Sequence, residues 1–327
     1  MKKFKTLCLG ILLLLCGCTP APDTAPTQAA HMEMDSIYVA QMQEKIDPVV
    51  EAAALANAPS PGAILEAEAP GTLEERCGDA VIDYSNSSDG YVMVQFLTQT
   101  DQRLKVLVKG PTTTYSYNLP QGEWTVFPLS DGSGSYQIGV YQNVTGSKYA
   151  TVLTANFEVQ LNDEFAPFLR PNQYVNYTGA VETVAMGEKL TRGISDPLEK
   201  VAAIYDYVVT NFTYDYDRAA TVKSGYLPDL DQVLAQKKGI CLDYAALMTA
   251  MLRSQGVPCK MVVGYAGDVY HSWISVWTDE NGWIDGVIFF DGHVWKRMDP
   301  TFASSGNRSD EIMEFIENGS YTVKYLY

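Results

Sequence analysis

The spacing of the apolar residues changes at Pro258, and this change limits the fold more than any other feature of the sequence. Before it, apolar side chains recur at helical intervals over about 241–254, and Gly256 and Pro258 end the helix. After it come four runs typical of strands: CKMVVGYAG, YHSWISVWT, GWIDGVIFF and HVWKRMDP. A helix followed by consecutive strands predicts an α+β domain.

A second helix is predicted upstream, in SDPLEKVAAIYDYVVTNF. Asp196 is suited to cap its N-terminus, Pro197 to occupy its first position, and Glu199 has capping-box spacing. The apolar residues that follow recur at helical intervals, which indicates a helix that faces the core.

The part of the chain from about Gly78 to Leu161 has a different pattern. Short runs rich in Val, Tyr, Thr and Phe are separated by turn signals such as SSDG, PQG and SDGSG. Strands at this spacing predict a small antiparallel sandwich of immunoglobulin-like type. No catalytic constellation lies in this part, so we interpret it as a spacer or binding module.

The N-terminus predicts export. A basic start and a short apolar run lead to LCGC, which resembles a bacterial lipobox. The resemblance implies cleavage before Cys18 and lipidation of its thiol, whereas the alternative is an ordinary secretory signal with a chance cysteine. We expect an extracytoplasmic, membrane-anchored lipoprotein.

The domain boundaries expected along the chain are 1–18 for the signal peptide, 19–35 for a disordered tether, 36–75 for a helical or irregular segment, 76–165 for the sandwich and 166–327 for the α+β domain.

Charge and motifs narrow the set of partners. Lys and Arg number 23 against 39 Asp and Glu, and the resulting formal charge of −16 disfavours nucleic acid. The sequence has no C-x-x-C, no H-E-x-x-H and no glycine-rich phosphate loop, so we expect neither a metal nor an organic cofactor.

Three cysteines remain as thiols once the signal is removed and Cys18 is modified: Cys77, Cys241 and Cys259. An odd number leaves at least one unpaired outside the cytoplasm. For Cys259 we expect a buried structural thiol, and a disulfide between Cys77 and Cys259 stays open. Cys241 stands where a helix begins, so the helix dipole favours its thiolate, although burial as a structural cysteine is equally compatible with the position.

A nucleophilic cysteine needs an imidazole to take its proton, and a third group to orient that imidazole. Of the three histidines, His31 lies in the tether and His293 beside a turn glycine, whereas His271 begins an alternating strand. Asp299 ends a strand-like run and is held extended by the following proline.

Three stretches in this order, GICLDYAALMTAMLRSQGVPCKMVVGY, YHSWISVW and GWIDGVIFFDGHVWKRMDPTF, resemble the bacterial transglutaminase-like family over roughly residues 195 to 303. The resemblance implies a papain-like core, in which a helix carrying the cysteine packs on an antiparallel sheet. It further implies that Cys241 is the nucleophile, His271 its base and Asp299 the orienting group. The chemistry implied is thioester formation from a protein or peptide amide, followed by transfer to water or an amine.

Some details stay open at this stage. The Cys241 backbone N–H is the natural first donor to an oxyanion, and Gln236 or Tyr244 could be a second donor or purely structural. The insertion IDGVIFFDGHVWKRM departs from the family's shorter domains and puts the substrate class in doubt. It could cover the cleft with the residues Phe289, Phe290, His293 and Trp295. The substrate could be a cell-wall or surface protein, and the alternative function is a catalytically silent scaffold that only binds.

Overall fold

The computed structural model describes residues 64–280, 282–285, 288–290, 295–297 and 320–327. All of them belong to one compact unit, 42–327. The predicted signal peptide with Cys18, the tether with His31, and most of the expected helical segment lie outside the described residues, as do His293 and Asp299. No helix among the described residues is long and apolar enough to cross a membrane.

The first part of the described chain is all β. Two four-stranded antiparallel sheets form it, with strand orders β1-β2-β3-β6 and β5-β4-β7-β8. The strands are β1 (Glu74–Arg76), β2 (Ala80–Asp83), β3 (Tyr91–Phe96), β4 (Leu104–Lys109), β5 (Thr114–Asn118), β6 (Thr125–Pro128), β7 (Gly134–Thr145) and β8 (Lys148–Val159).

Alternation along these strands builds the core of the all-β part. In β4 the side chains of Leu104, Val106 and Val108 are buried, and those between them are more accessible. The neighbouring strand β5 of the same sheet buries Tyr115 and Tyr117 in the same way. Because successive side chains of a strand point to opposite faces, the apolar set of each strand reaches one shared interior.

Five α-helices follow among the described residues of the second part of the chain. They are α1 (Val181–Thr191), α2 (Pro197–Asn211), α3 (Tyr216–Thr221), α4 (Leu230–Gln236) and α5 (Cys241–Arg253). The predicted start of α2 is confirmed, because the Asp196 side chain accepts hydrogen bonds from the backbone N–H groups of Leu198 and Glu199. The predicted helix over 241–254 is α5, in which every residue from Asp243 to Arg253 is buried.

The helix α5 packs on an antiparallel sheet with strand order β13-β12-β11-β16. The strands of this part are β9 (Thr213–Tyr214), β10 (Lys238–Gly239), β11 (Cys259–Ala266), β12 (Val269–Thr278), β13 (Gly282–Asp285), β14 (Ile288–Phe290), β15 (Trp295–Arg297) and β16 (Tyr321–Leu326). The four predicted strand runs after Pro258 correspond to β11 to β15. The predicted α+β class with a preceding all-β region is confirmed.

The two parts share one apolar core at Tyr327. Its ring centroid lies 4.4 Å from that of Tyr174, 5.8 Å from that of Tyr117 and 5.9 Å from that of Tyr115. Two of these rings belong to strand β5 of the all-β part. The all-β part is therefore packed against the sheet that carries the candidate site.

Candidate functional site

Cys241 is the first residue of α5 and has a partly buried side chain. The residue before it, Ile240, is extended, with φ −97° and ψ 177°. Strand β10 leads into this turn and pairs in parallel with β9, where the Asp215 N–H donates to the Gly239 carbonyl at 2.9 Å. The predicted position of the cysteine at a helix mouth is confirmed, and a two-strand ladder fixes the approach to it.

The candidate base His271 lies on β12, directly opposite Gly264 of β11, and is 3% exposed. Its ring stacks with that of Trp273 at 6.3 Å. Strand alternation places His271 and Trp273 on one face, and Ile274, which shares the core with α5, on the other. A Cβ atom at Gly264 would overlap the backbone carbonyl of Thr322 on β16 and lie 2.8 Å from the Trp273 ring, so only glycine fits opposite His271.

Cys241 interacts electrostatically with Tyr270, the residue that precedes this histidine. Burial raises the pKa of the Tyr270 hydroxyl, and the charges of Tyr325, Tyr174, Tyr265 and Cys241 raise it further. The helix α5 also packs directly on β12. The structure thus brings the elements of Cys241 and His271 together, whereas the pairing of the two side chains stays a prediction. The third member, Asp299, lies outside the described residues.

The two suggested second donors differ in exposure. Tyr244 is fully buried, and its ring packs against those of Phe212 at 6.0 Å and Tyr214 at 6.5 Å. Gln236 is exposed at the end of α4. The burial of Tyr244 supports the structural role that the sequence had left open for it.

Tyr214 is a candidate that the sequence analysis missed. It pairs with Gly239 across β9 and β10, two residues before Cys241. Burial raises its pKa to about 12, and the nearby charge of Cys241 adds to this effect. Its hydroxyl therefore stays protonated and keeps a proton that it can donate. No local signal in the sequence marks Tyr214, because only the pairing of β9 with β10 brings it beside the residues that precede Cys241.

A buried carboxylate supports the helix mouth. Asp243 is fully buried and accepts hydrogen bonds from the Ile240 N–H at 2.8 Å and the Tyr226 hydroxyl at 2.7 Å. The Arg218 guanidinium lies 3.4 Å from the same carboxylate. Burial raises the pKa of Asp243, and these donors and the positive charge of Arg218 oppose that rise. Arg218 and Tyr226 also line a cavity of about 490 Å³.

The three described cysteines are all free, so the Cys77–Cys259 disulfide that had stayed open is not formed. The Cys77 thiol lies 3.9 Å from the Val152 carbonyl, and the Cys259 thiol 3.6 Å from the Thr249 hydroxyl of α5. Burial raises the pKa of Cys259 to about 11. The expectation that Cys259 is a buried structural thiol is confirmed.

Two tryptophans that follow His271 in the chain, Trp277 and Trp283, take part in a second, smaller core. Trp277 and Trp283 pack against Phe165, with ring centroids at 4.6 and 5.9 Å. The Lys260 ammonium lies 3.6 Å from the centre of the Trp283 ring. Among the residues that the structure describes, no cluster of His, Cys, Asp and Glu could hold a metal ion.

The geometry of a cysteine helix on an antiparallel sheet agrees with a comparison of the sequence with family models. Residues 184–285 match the family described as the transglutaminase-like superfamily. This segment of the chain is therefore similar to that superfamily. The match includes Cys241 and His271, ends before Asp299, and leaves the all-β part outside.

Curated relatives match over the same domain. The uncharacterised protein YebA of Bacillus subtilis is 32% identical over 124 residues, which cover 32% of this chain and 16% of the relative. A protein-glutamine gamma-glutamyltransferase of Pseudomonas aeruginosa is 25% identical over 145 residues, which cover 40% of this chain and 20% of the relative. The chain thus spans a fifth or less of the length of these two relatives.

Solved structures also resemble the chain. A proposed cysteine protease of Cytophaga hutchinsonii is 17% identical, with a TM-score of 0.34, and the match covers 78% of this chain and 82% of that one. Red sea bream transglutaminase is 14% identical, with a TM-score of 0.28, and the match covers 71% of this chain and 56% of that one.

Proposed function

We propose that this transglutaminase-like domain is a cysteine acyl-transfer enzyme that acts on protein or peptide amides. The observation that carries the proposal is the free cysteine at the mouth of α5, a helix that packs on the strand of His271 within a transglutaminase-like segment. A helix N-terminus favours the thiolate, which is the nucleophilic form of cysteine.

The proposed reaction begins with transfer of the thiol proton from Cys241 to His271. The thiolate attacks the amide carbon, and the resulting oxyanion accepts hydrogen bonds from the Cys241 N–H and the Tyr214 hydroxyl. Collapse of this intermediate breaks the C–N bond. His271 gives its proton to the leaving nitrogen, and a thioester remains on Cys241.

The second half of the reaction restores the enzyme. Water or an amine attacks the thioester carbon and loses its proton to His271, the C–S bond breaks, and the thiol returns. Asp299 would hold the imidazole and stabilise its cation through both halves. Hydrolysis gives an amidase or protease, and transfer to an amine gives a transamidase.

The proposed setting is the outside of the cell membrane. The LCGC stretch supports lipidation at Cys18, and the Pro- and Ala-rich residues 19–35 would tether the enzyme to the lipid. An exported cysteine enzyme on a tether could reach cell-wall or surface proteins, which we propose as its substrates.

An acylation experiment tests the proposal without knowledge of the natural substrate. The full-length protein is incubated with p-nitrophenyl acetate, and the acetylated residue is identified by peptide mass spectrometry. We expect a thioester on Cys241 that disappears in Cys241→Ala, and dansylcadaverine would then show whether an amine can capture it. Equal, slow acetylation of wild type and His271→Gln would contradict catalysis and favour the silent scaffold.

A further inference from the structure

The proposed reaction assigns no task to the buried carboxylate of Asp243, which lies two residues after the nucleophile. A charge removed from water is costly unless it is paired and hydrogen-bonded. At a helix start a carboxylate usually stays exposed, where the helix dipole already stabilises it. The helix dipole alone therefore does not explain why Asp243 is completely buried.

Three donors from different places hold this carboxylate. One oxygen accepts from the Ile240 N–H at 2.8 Å, and the other from the Tyr226 hydroxyl at 2.7 Å. Arg218 lies 3.4 Å from Asp243 and also donates to the Tyr226 hydroxyl at 2.9 Å. The segment before α4 is thereby tied to the mouth of α5.

A glycine in β10 allows the Asp243 side chain to pack against the backbone that precedes Cys241. A Cβ atom at Gly239 would lie 2.7 Å from the Cβ of Asp243, so β10 can pass this close only with glycine. Asp243 thus fixes the two residues that precede Cys241. As the first helical residue, Cys241 has no acceptor for its N–H within the helix, so that N–H is available for an oxyanion.

We propose that Asp243 is a positioning residue, which with Tyr226 and Arg218 holds the turn from β10 into α5 and so sets the direction of the Cys241 N–H. The inference rests on the proposed function, because that N–H matters only if an oxyanion forms. A purely electrostatic role has the opposite sign: the negative charge of Asp243 opposes the Cys241 thiolate, so its removal would speed every reaction of the thiol.

Two reactions of the same thiol separate these roles. Acylation by p-nitrophenyl acetate needs the thiolate and the oxyanion donors, whereas alkylation by iodoacetamide needs only the thiolate. The full-length variants are Asp243→Asn and Tyr226→Phe, with Asp217→Asn as the control because Asp217 is an exposed acid of the same segment. We expect acylation to fall about tenfold or more in the two variants and alkylation to change less than about threefold.

The control should leave both rates unchanged. Parallel changes of acylation and alkylation in Tyr226→Phe, or unchanged acylation, would overturn the proposal. Tyr226→Phe keeps the ring and gives a folded comparison if Asp243→Asn does not fold.

Hydrogen exchange separates this inference from the proposed function. We expect the peptide that spans residues 238–244 to exchange faster in Tyr226→Phe than in wild type, because the Ile240 N–H is held less firmly. If wild-type Cys241 is not acylated, the proposed function fails, and the exchange rate still reports whether Asp243 holds the turn. Unchanged exchange would overturn the positioning role even in an active enzyme.

Discussion

At the scale of single residues, burial determines which protonation state each titratable side chain favours. Tyr214 and Tyr270 both lie within range of the Cys241 charge, but burial keeps their hydroxyls protonated. Lys260 shows the reverse effect, because burial lowers the pKa of its ammonium although the Trp283 ring beneath it attracts the cation. These environments lead to two predictions.

Loss of the Tyr214 hydroxyl should slow acylation of Cys241. We expect Tyr214→Phe to lower the rate with p-nitrophenyl acetate by about 100-fold, since removal of one oxyanion donor costs roughly that much. Alkylation by iodoacetamide should change little. Tyr216→Phe is the matched control, since its ring neighbours Tyr214 but is 63% exposed. Equal rates in wild type and Tyr214→Phe would remove Tyr214 from the mechanism.

The stability of the protein should depend on Lys260 in a pH-dependent way. Burial lowers the pKa of its ammonium from 10.5 to about 8, although Asp285 and Glu164 oppose the shift. The folded state therefore binds fewer protons than the unfolded state between about pH 8 and pH 10.5, and stability rises with pH in that window.

Replacement by methionine removes this dependence. We expect Lys260→Met to be more stable than wild type at pH 7 and its advantage to shrink by on the order of 2 kcal/mol toward pH 10. Urea denaturation of both proteins at each pH measures this difference, in which the other titrating groups cancel. A constant or growing advantage would show that Lys260 stays charged in the folded protein.

At the scale of secondary-structure elements, the buried Arg253 joins the end of α5 to three other segments. It donates to the carbonyls of Cys259 at 2.8 Å, Arg170 at 2.7 Å and Tyr327 at 2.5 Å. Burial lowers the pKa of its guanidinium. One side chain thus holds the C-terminal end of α5, the helix that begins at Cys241.

Removal of these donors should be costly. We expect Arg253→Met to lower the free energy of unfolding by about 3 kcal/mol or more, because two buried carbonyls and one partly buried carbonyl lose a partner. Arg192→Met is the control, since its side chain is exposed. A loss below about 1 kcal/mol in urea denaturation would show that water or a shift of β16 replaces the donors.

The elements that the sequence predicted are those with local signals. Asp196 and Pro197 mark the start of α2, and the change of period at Pro258 marks the passage from α5 to β11. In contrast, β16 joins the sheet through the distant pairing of Leu326 with Val262, and no pattern in its own residues specifies that neighbour. Tyr214 and the partners of Asp243 were missed for the same reason.

At the scale of the whole molecule, the all-β part shares a core with the sheet that carries the candidate site through Tyr327, so the two parts should unfold together. The sequence suggested a spacer or binding module, since turn signals and alternation describe each strand but not what packs against it. The proposed lipid anchor at Cys18 lies in residues that the structure does not describe.

Lipidation should depend on Cys18 alone. We expect the protein made in bacteria fed an alkyne fatty acid to carry the label and to enter the detergent phase of Triton X-114. Cys18→Ser should lose both properties, whereas Cys16→Ser, which changes a cysteine two positions earlier, should keep them. Label that persists in Cys18→Ser would contradict the lipobox interpretation.

The most direct test of the proposed Cys241–His271 pair is the rate at which iodoacetamide alkylates Cys241 between pH 4 and 9. The rate is measured for each cysteine separately in full-length wild type and in His271→Gln. Cys77 is an internal reference, because it is also a free and partly buried thiol. We expect Cys241 to react much faster than Cys77 at pH 6 and to lose this advantage in His271→Gln. Equal reactivity of the two thiols, unaffected by His271, would contradict the proposal that Cys241 and His271 form a catalytic pair.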